Sequence, residues 1–354
     1  MSNTEENLAH LIETSAPAYA GFIVSDLSAS NPEVISAFGP MATESWRGYM
    51  VSRLIELAST VRAGQPRLFA AHIDWCRVAL SSRGISDQVL KPALGTVDQM
   101  LSEQLPDYVD TFKPYLAASL ALFDRPLKEN GSLLNVDDPC GRLAAHYVLA
   151  VLEGDCRAAC ELVLNAVKDD LDISDAYIKV LIPAVQEVGR MWHQNEVSIA
   201  EEHFVTATTQ RVLSQLQSSV QCAPSNGKTV VAAAVAGDRH EVGIRVVADF
   251  LEMAGWRVIF LGADLPSSDL AQAVEDFNAD IVVLAATLVT HISSVRSAIT
   301  AIRASDAAKS IKVIVGGSGF NGDVALAKEV GADAFALTPD KAVQLAGQFI
   351  SKSD

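Results

Sequence analysis

Residues 235–256 read VAGDRHEVGIRVVADFLEMAGW. Asp238, His240 and Glu241 follow an apolar run at 229–235 and stand just before a helical pattern. An ionisable triplet at the mouth of a strand-to-helix connection can do three kinds of work. His240 can act as a general base. It can ligate a metal through one ring nitrogen while Asp238 takes the proton on the other. Or it can simply face solvent in a turn. A second cluster lies upstream in VGRMWHQNEVSIAEEHF, where nine residues separate Trp192 from the pair Glu202-His203 and His193 follows the Trp directly. A third is N-terminal. Arg47 and Arg53, near Trp46 and Tyr49, share one helical pattern, and His72, Trp75, Cys76, Arg77 and Arg83 share the next.

The elements that must position these residues fall into three stretches. Residues 1–125 carry apolar residues at three- and four-residue spacing and read as about six helices. Residues 124–140 hold Pro, Gly and charges without periodicity and read as a linker. Helical patterns resume over 138–220 in four segments with short connections, the signature of a four-helix bundle. A second linker, QCAPSNGK, follows. From 229 to 354, the short β-rich runs TVVAAAV, RVIFL, DIVVLAA, KVIVGG and AFALT alternate with helical segments. That alternation predicts a doubly wound, Rossmann-like parallel sheet covered on both faces. The fold class is therefore multi-domain α and α/β.

Composition narrows the function. The chain has 354 residues, a formal net charge of −16 and 49% hydrophobic residues. The acidic balance argues against nucleic-acid binding. No apolar run is long enough for a membrane span, and the polar start MSNTEENLAHLIE does not read as a signal peptide. Five scattered cysteines with no CxxC suit a reducing, cytoplasmic setting. Cys156 and Cys160, four apart on a helix, read as core residues.

In open parallel sheets, ligands bind in the loops at the strand C-terminal ends. Asp238, His240 and Gly243 follow the first strand, Thr287 the third, and Gly316-Gly317 the fourth. Small residues at all three loops imply a deep slot with His240 at its mouth.

Asp238-x-His240-x-x-Gly243, then Ala285-x-Thr287, then Gly316-Gly317 resembles the signature of the cobalamin-binding domain, with 41 and 28 residues in the two gaps. The resemblance implies His240 as the lower axial cobalt ligand in place of the cofactor's own base. It also implies a nucleotide tail lying past Gly243, Thr287, Gly316 and Gly317. Ala285 departs from the family, which usually has Ser there. Trp192-x9-Glu202-His203 is similar to the adenosylcobalamin-binding bundle of cobalamin-dependent photoreceptors. That implies Trp192 and Glu202 against the adenosyl group, and His193 as an upper cobalt ligand after light cleaves the Co–C bond.

An all-helical domain ahead of these two is similar to the photocobilins, which hold biliverdin in a globin-like domain. On that resemblance Arg47, Arg53, His72, Trp75 and Arg77 are candidate bilin-binding residues; haem on His72, or ordinary amphipathic helices, are the alternatives. The resulting expectation is a light sensor rather than an enzyme. It holds adenosylcobalamin and biliverdin, forms a light-dependent homo-oligomer, and acts on an output protein that the sequence does not identify. The competing expectation is a corrinoid methyl carrier serving methyltransferases.

Overall fold

The computed structural model describes residues 3–37, 39, 42–127, 131–305 and 311–351. Residues 128–130 of the expected linker and 352–354 at the end of the expected α/β stretch lie outside them. The chain divides into two compact units: residues 1–129 with His193–Asn195, and residues 130–192 with 196–354.

The first unit is helical, with α1 (Asn3–Ser30), α2 (Pro32–Ser36), α3 (Ala42–Arg62), α4 (Pro66–Ser81), α5 (Leu90–Gln104) and α6 (Val109–Leu120). Its six α-helices match the number that the sequence periodicity suggests. α1 and α3 pack lengthwise, burying Leu8, Ile12, Ile23 and Leu27 with Met50, Leu54, Leu57 and Val61. Trp46 is fully buried, and its indole N–H donates to the Val34 carbonyl at 2.9 Å, which satisfies its one polar atom.

In the second unit come α7 (Pro139–Leu152), α8 (Cys156–Lys168) and α9 (Ile173–Asp175). α9 runs through a π-helical turn, Ala176–Leu181, into α10 (Ile182–His193), and α11 (Ile199–Gln217) closes the bundle. Each start has a sequence cause. Asp138, Asp155, Asp172 and Ser198 accept hydrogen bonds from backbone amides of the first turns of α7, α8, α9 and α11. Ser198 and Glu201 form a reciprocal capping box. Val148, Val163, Tyr177, Val180, Val188, Val212 and Leu213 build the bundle core.

The rest of this unit alternates β1 (Thr229–Val235), α12 (Val242–Met253), β2 (Arg257–Leu265), α13 (Ser267–Asp276), β3 (Ile281–Ala285), α14 (Ile292–Ala304), β4 (Lys312–Gly316), α15 (Val324–Glu329), β5 (Ala334–Ala336) and α16 (Pro339–Ile350). All neighbours are parallel, in the order β2-β1-β3-β4-β5. Every residue of β1 and β3 is buried, as two-sided coverage requires. Register aligns Ala234, Ala285, Gly316 and Ala336 across the top of four strands.

The bundle and the α/β stretch, read from sequence as separate parts, cluster together because α12 serves both. Ile244, Ala248 and Leu251 join the sheet core, while Val246 and Phe250 enter the bundle core. Asp249 on the same helix is buried, with Arg245 Nε at 2.9 Å and Tyr177 Oη at 3.0 Å. Burial raises its pKa against the opposing pull of Arg245 and Tyr177.

Candidate functional site

The strand order reverses between β1 and its two neighbours, so a crevice opens at the C-terminal ends of β1 and β3. Asp238 lies there, fully buried. Its Oδ1 accepts the backbone N–H of His240 at 3.0 Å and ring Nδ1 of His240 at 2.8 Å. Its Oδ2 accepts the backbone N–H of Thr287 from the loop after β3. The Asp238 carbonyl takes the N–H of Asp264, and the Asp264 carboxylate takes the N–H of Gly237 at 2.7 Å. Burial alone would raise the Asp238 pKa; hydrogen bonds from the His240 ring and from the His240 and Thr287 amides, with the nearby His291 imidazole, reverse this and hold it well below the usual carboxylate range.

His240 is the exposed end of this assembly, with over half of its side chain open. Its Nδ1 is fixed by Asp238, which leaves Nε2 as the ring nitrogen open to a ligand. The hydrogen bond to Asp238 raises the His240 pKa against partial burial, and Glu202 adds a smaller push in the same direction. Gly243, exposed in the first turn of α12, has nothing within 4 Å of where a Cβ would stand. No packing demand explains this glycine, and it leaves open space beside the loop that carries His240. A His–Asp donor pair beside an open glycine fits a large planar metal cofactor. Among the described residues no group of three His, Cys, Asp or Glu could hold a metal.

The glycines after β4 have a different cause. A Cβ on Gly316 would stand 2.7 Å from the Ala336 carbonyl oxygen. One on Gly317, at φ 102°, would stand 2.3 Å from that of Ala286. Ser318 donates to the Thr287 carbonyl at 2.7 Å, and Gly319 N–H donates to Ala286 at 3.0 Å. On the Cβ side of these glycines lies backbone of β5 and of the loop after β3, and their lack of side chains lets the loops after β3 and β4 interlock.

α11 supplies a polar row at four-residue spacing. Gln210 Nε2 donates to Glu241, the residue after His240, and Thr206 donates to Glu202 at 3.0 Å. Glu202 also pairs with His203 Nδ1 at 2.9 Å, and His203 is exposed. Trp192 is half-buried against the bundle core. His193, expected as a second cobalt ligand, clusters with the first unit. It is buried in the first unit, its ring stacked on Trp75 at 4.3 Å and 9° and its Nε2 2.8 Å from the Trp75 carbonyl oxygen. Burial lowers its pKa.

In the first unit, three of the N-terminal candidates, Arg53, His72 and Arg77, are engaged by protein groups. Arg77 is buried and held by Asp87 at 2.8 Å, the Leu122 carbonyl at 2.8 Å and the Arg125 carbonyl at 3.1 Å. Arg53 grips Glu56 with two bonds, at 2.7 and 3.0 Å. His72 Nε2 pairs with the same carboxylate and lies 3.3 Å from Cys76 Sγ. Burial pushes the His72 pKa down, but Cys76 and Glu56 more than reverse this and bring it up to about 9. Arg47 is exposed and lies over Gly21 on α1.

His291 and the Gln210–Glu241 bridge escaped the sequence reading. The only available signal for His291 was its place four residues after Thr287, in the same loop.

Fold and geometry together place an exposed imidazole, His240, backed by the buried carboxylate of Asp238, at a sheet switch point. Two family models described as B12 binding domain match the chain, at residues 228–344 and 143–217. It is 30% identical over 208 residues to a corrinoid protein of Desulfitobacterium hafniense (strain Y51), covering 57% of this chain and 95% of that protein. It is 31% identical over 136 residues to the HTH-type transcriptional repressor CarA of Myxococcus xanthus, covering 36% of this chain and 44% of that protein. The structure of the Methanosarcina barkeri monomethylamine corrinoid protein superposes with a TM-score of 0.52 at 18% identity, covering 58% of this chain and 98% of that one. The chain belongs to the B12-binding family of corrinoid proteins. Among the described residues no helix is long and apolar enough to cross a membrane.

Proposed function

We propose that the second unit carries a corrinoid with its own base displaced, His240 below the cobalt, and works as a methyl carrier that presents the cobalt's upper face to a methyltransferase. The observation that carries the corrinoid part is the His240–Asp238 pair beside Gly243: a fixed Nδ1, an available Nε2 and open space where a side chain would stand. The methyl part is supported by the likeness to the amine corrinoid protein in fold and to the D. hafniense corrinoid protein in sequence. A bound corrin would supply a cobalt centre able to accept and release a methyl group. The chain's own work is to orient His240 through Asp238, to keep that carboxylate anionic by three hydrogen-bond donors, and to set Glu202, Thr206 and Gln210 over the same loop.

An adenosylcobalamin-binding light sensor is the second reading. It is favoured by Trp192 and Glu202, which carry the photoreceptor spacing, by the effect of Glu202 on His240, and by the likeness to the CarA repressor. One experiment separates the two. The full chain is titrated in the dark with methylcobalamin and with adenosylcobalamin, then each complex is illuminated. Comparable affinities, with the corrin retained and the protein's oligomeric state unchanged after light, support the carrier. At least tenfold preference for adenosylcobalamin, with a light-driven change in oligomeric state, overturns it in favour of the sensor.

A further inference from the structure

The first unit holds a cluster of chemistry-bearing side chains that the corrinoid reading does not use. On α3, Arg53 grips Glu56 through two bonds and also lies over the Tyr49 ring, 4.4 Å from its centroid. On α4, His72 Nε2 meets the same carboxylate and stands 3.3 Å from Cys76 Sγ, one turn further on. Trp75 stacks on the His72 ring at 5.8 Å and 22°. Arg53, Glu56 and His72 are largely buried, and Cys76 is 2% exposed.

Charge balance decides the state of the sulfur. The His72 imidazolium and the Arg53 guanidinium are two cations against the single carboxylate of Glu56. Buried charges need partners. Burial keeps the adjacent Tyr49 hydroxyl neutral, which leaves Cys76 Sγ to supply the second negative charge. The charge on that sulfur is among the causes that raise the pKa of both His72 and Arg53. Cationic neighbours favour the thiolate, which is the nucleophilic form of cysteine. Cys140 and Cys160 differ: burial is the largest influence on both and pushes their thiols up.

We propose that Cys76 is a modification site: a thiolate, held by His72 and Arg53, that small peroxides oxidise to a sulfenic acid. The sulfur attacks one oxygen of hydrogen peroxide, so an S–O bond forms as the O–O bond breaks. The His72 imidazolium gives its proton to the departing hydroxide, which leaves as water. Sulfur loses the electron pair that the peroxide gains. Burial of Sγ selects the oxidant. Hydrogen peroxide is close to water in size, whereas a bulky thiol reagent is kept out of the folded unit. The assignment stands apart from the corrinoid reading and survives its failure.

The test uses the full chain at neutral pH without added corrin. Hydrogen peroxide is added briefly, removed with catalase, and the protein unfolded in dimedone, which traps sulfenic acids for peptide mass spectrometry. Exposed Cys222 is the reference in the same molecule. We expect Cys76 to be oxidised at least about tenfold faster than Cys222. With the aromatic disulfide DTNB the order should reverse. His72→Gln and Arg53→Gln should each slow Cys76 oxidation about tenfold while DTNB is still kept out, which shows that the unit stays closed. Cys76→Ser should remove ultraviolet thiolate absorbance at neutral pH. Cys76 oxidised no faster than Cys222 in the wild-type chain, wild-type rates in both variants, or an unchanged ultraviolet spectrum in Cys76→Ser overturns the assignment.

Discussion

Asp238 Oδ1 accepts both the backbone N–H and the ring Nδ1 of His240, two residues on. One oxygen thus fixes both the turn and the tautomer. Asp238→Ala should lower corrin affinity by roughly 10–100-fold, because the His240 ring loses its orienting partner. Titration of the full chain with hydroxocobalamin, followed by absorbance, checks it. An affinity within twofold of wild type would show that His240 is held some other way.

Gly243 separates ligand binding from folding. A side chain there meets no protein atom, and helix propensity favours most residues over glycine by about 0.5–1 kcal/mol. Gly243→Leu should therefore leave the unfolding midpoint unchanged or slightly higher while reducing corrin affinity at least tenfold. A marked drop in midpoint with normal corrin binding would reassign this glycine to packing.

The Glu56–His72 pair gives a pH signature in the first unit. The His72 pKa is about 9 in the folded chain against an ordinary 6.5. A raised value means that the imidazolium stabilises the fold fully below pH 6.5 and that this contribution is lost as pH rises to about 9. The buried Trp46 reports on this unit. Denaturant midpoints read by tryptophan fluorescence should fall between pH 6.5 and 9 in wild type, and His72→Gln should flatten that fall. Identical slopes in both proteins would place the pH dependence elsewhere.

The sheet was legible because its central strands β1 and β3 are buried on both faces and read as continuous apolar runs: TVVAAAV occupies 229–235 in the structure as in the sequence. The loop chemistry was legible at Asp238 and His240 for a related reason, since a two-residue spacing fixes a local hydrogen bond whatever surrounds it. Longer-range facts were not. That Val246 and Phe250 enter the bundle while Ile244 and Leu251 face the sheet depends on what packs against α12 from both sides. The packing of Gly316 and Gly317 depends on backbone from other strands. Arg77 looked available for an anion because a sequence shows charge but not the carbonyls and carboxylates that neutralise it. His193 was assigned to cobalt by resemblance alone, and a sequence does not show that its ring stacks on Trp75.

His240 below the cobalt is the central claim, and isotope labelling tests it directly. Protein grown on nitrogen-15 histidine is loaded with unlabelled cob(II)alamin and its electron paramagnetic resonance recorded. Coordination by His240 predicts that the threefold nitrogen splitting of unlabelled protein becomes twofold. A splitting that stays threefold means that the corrin keeps its own base, and would contradict the account.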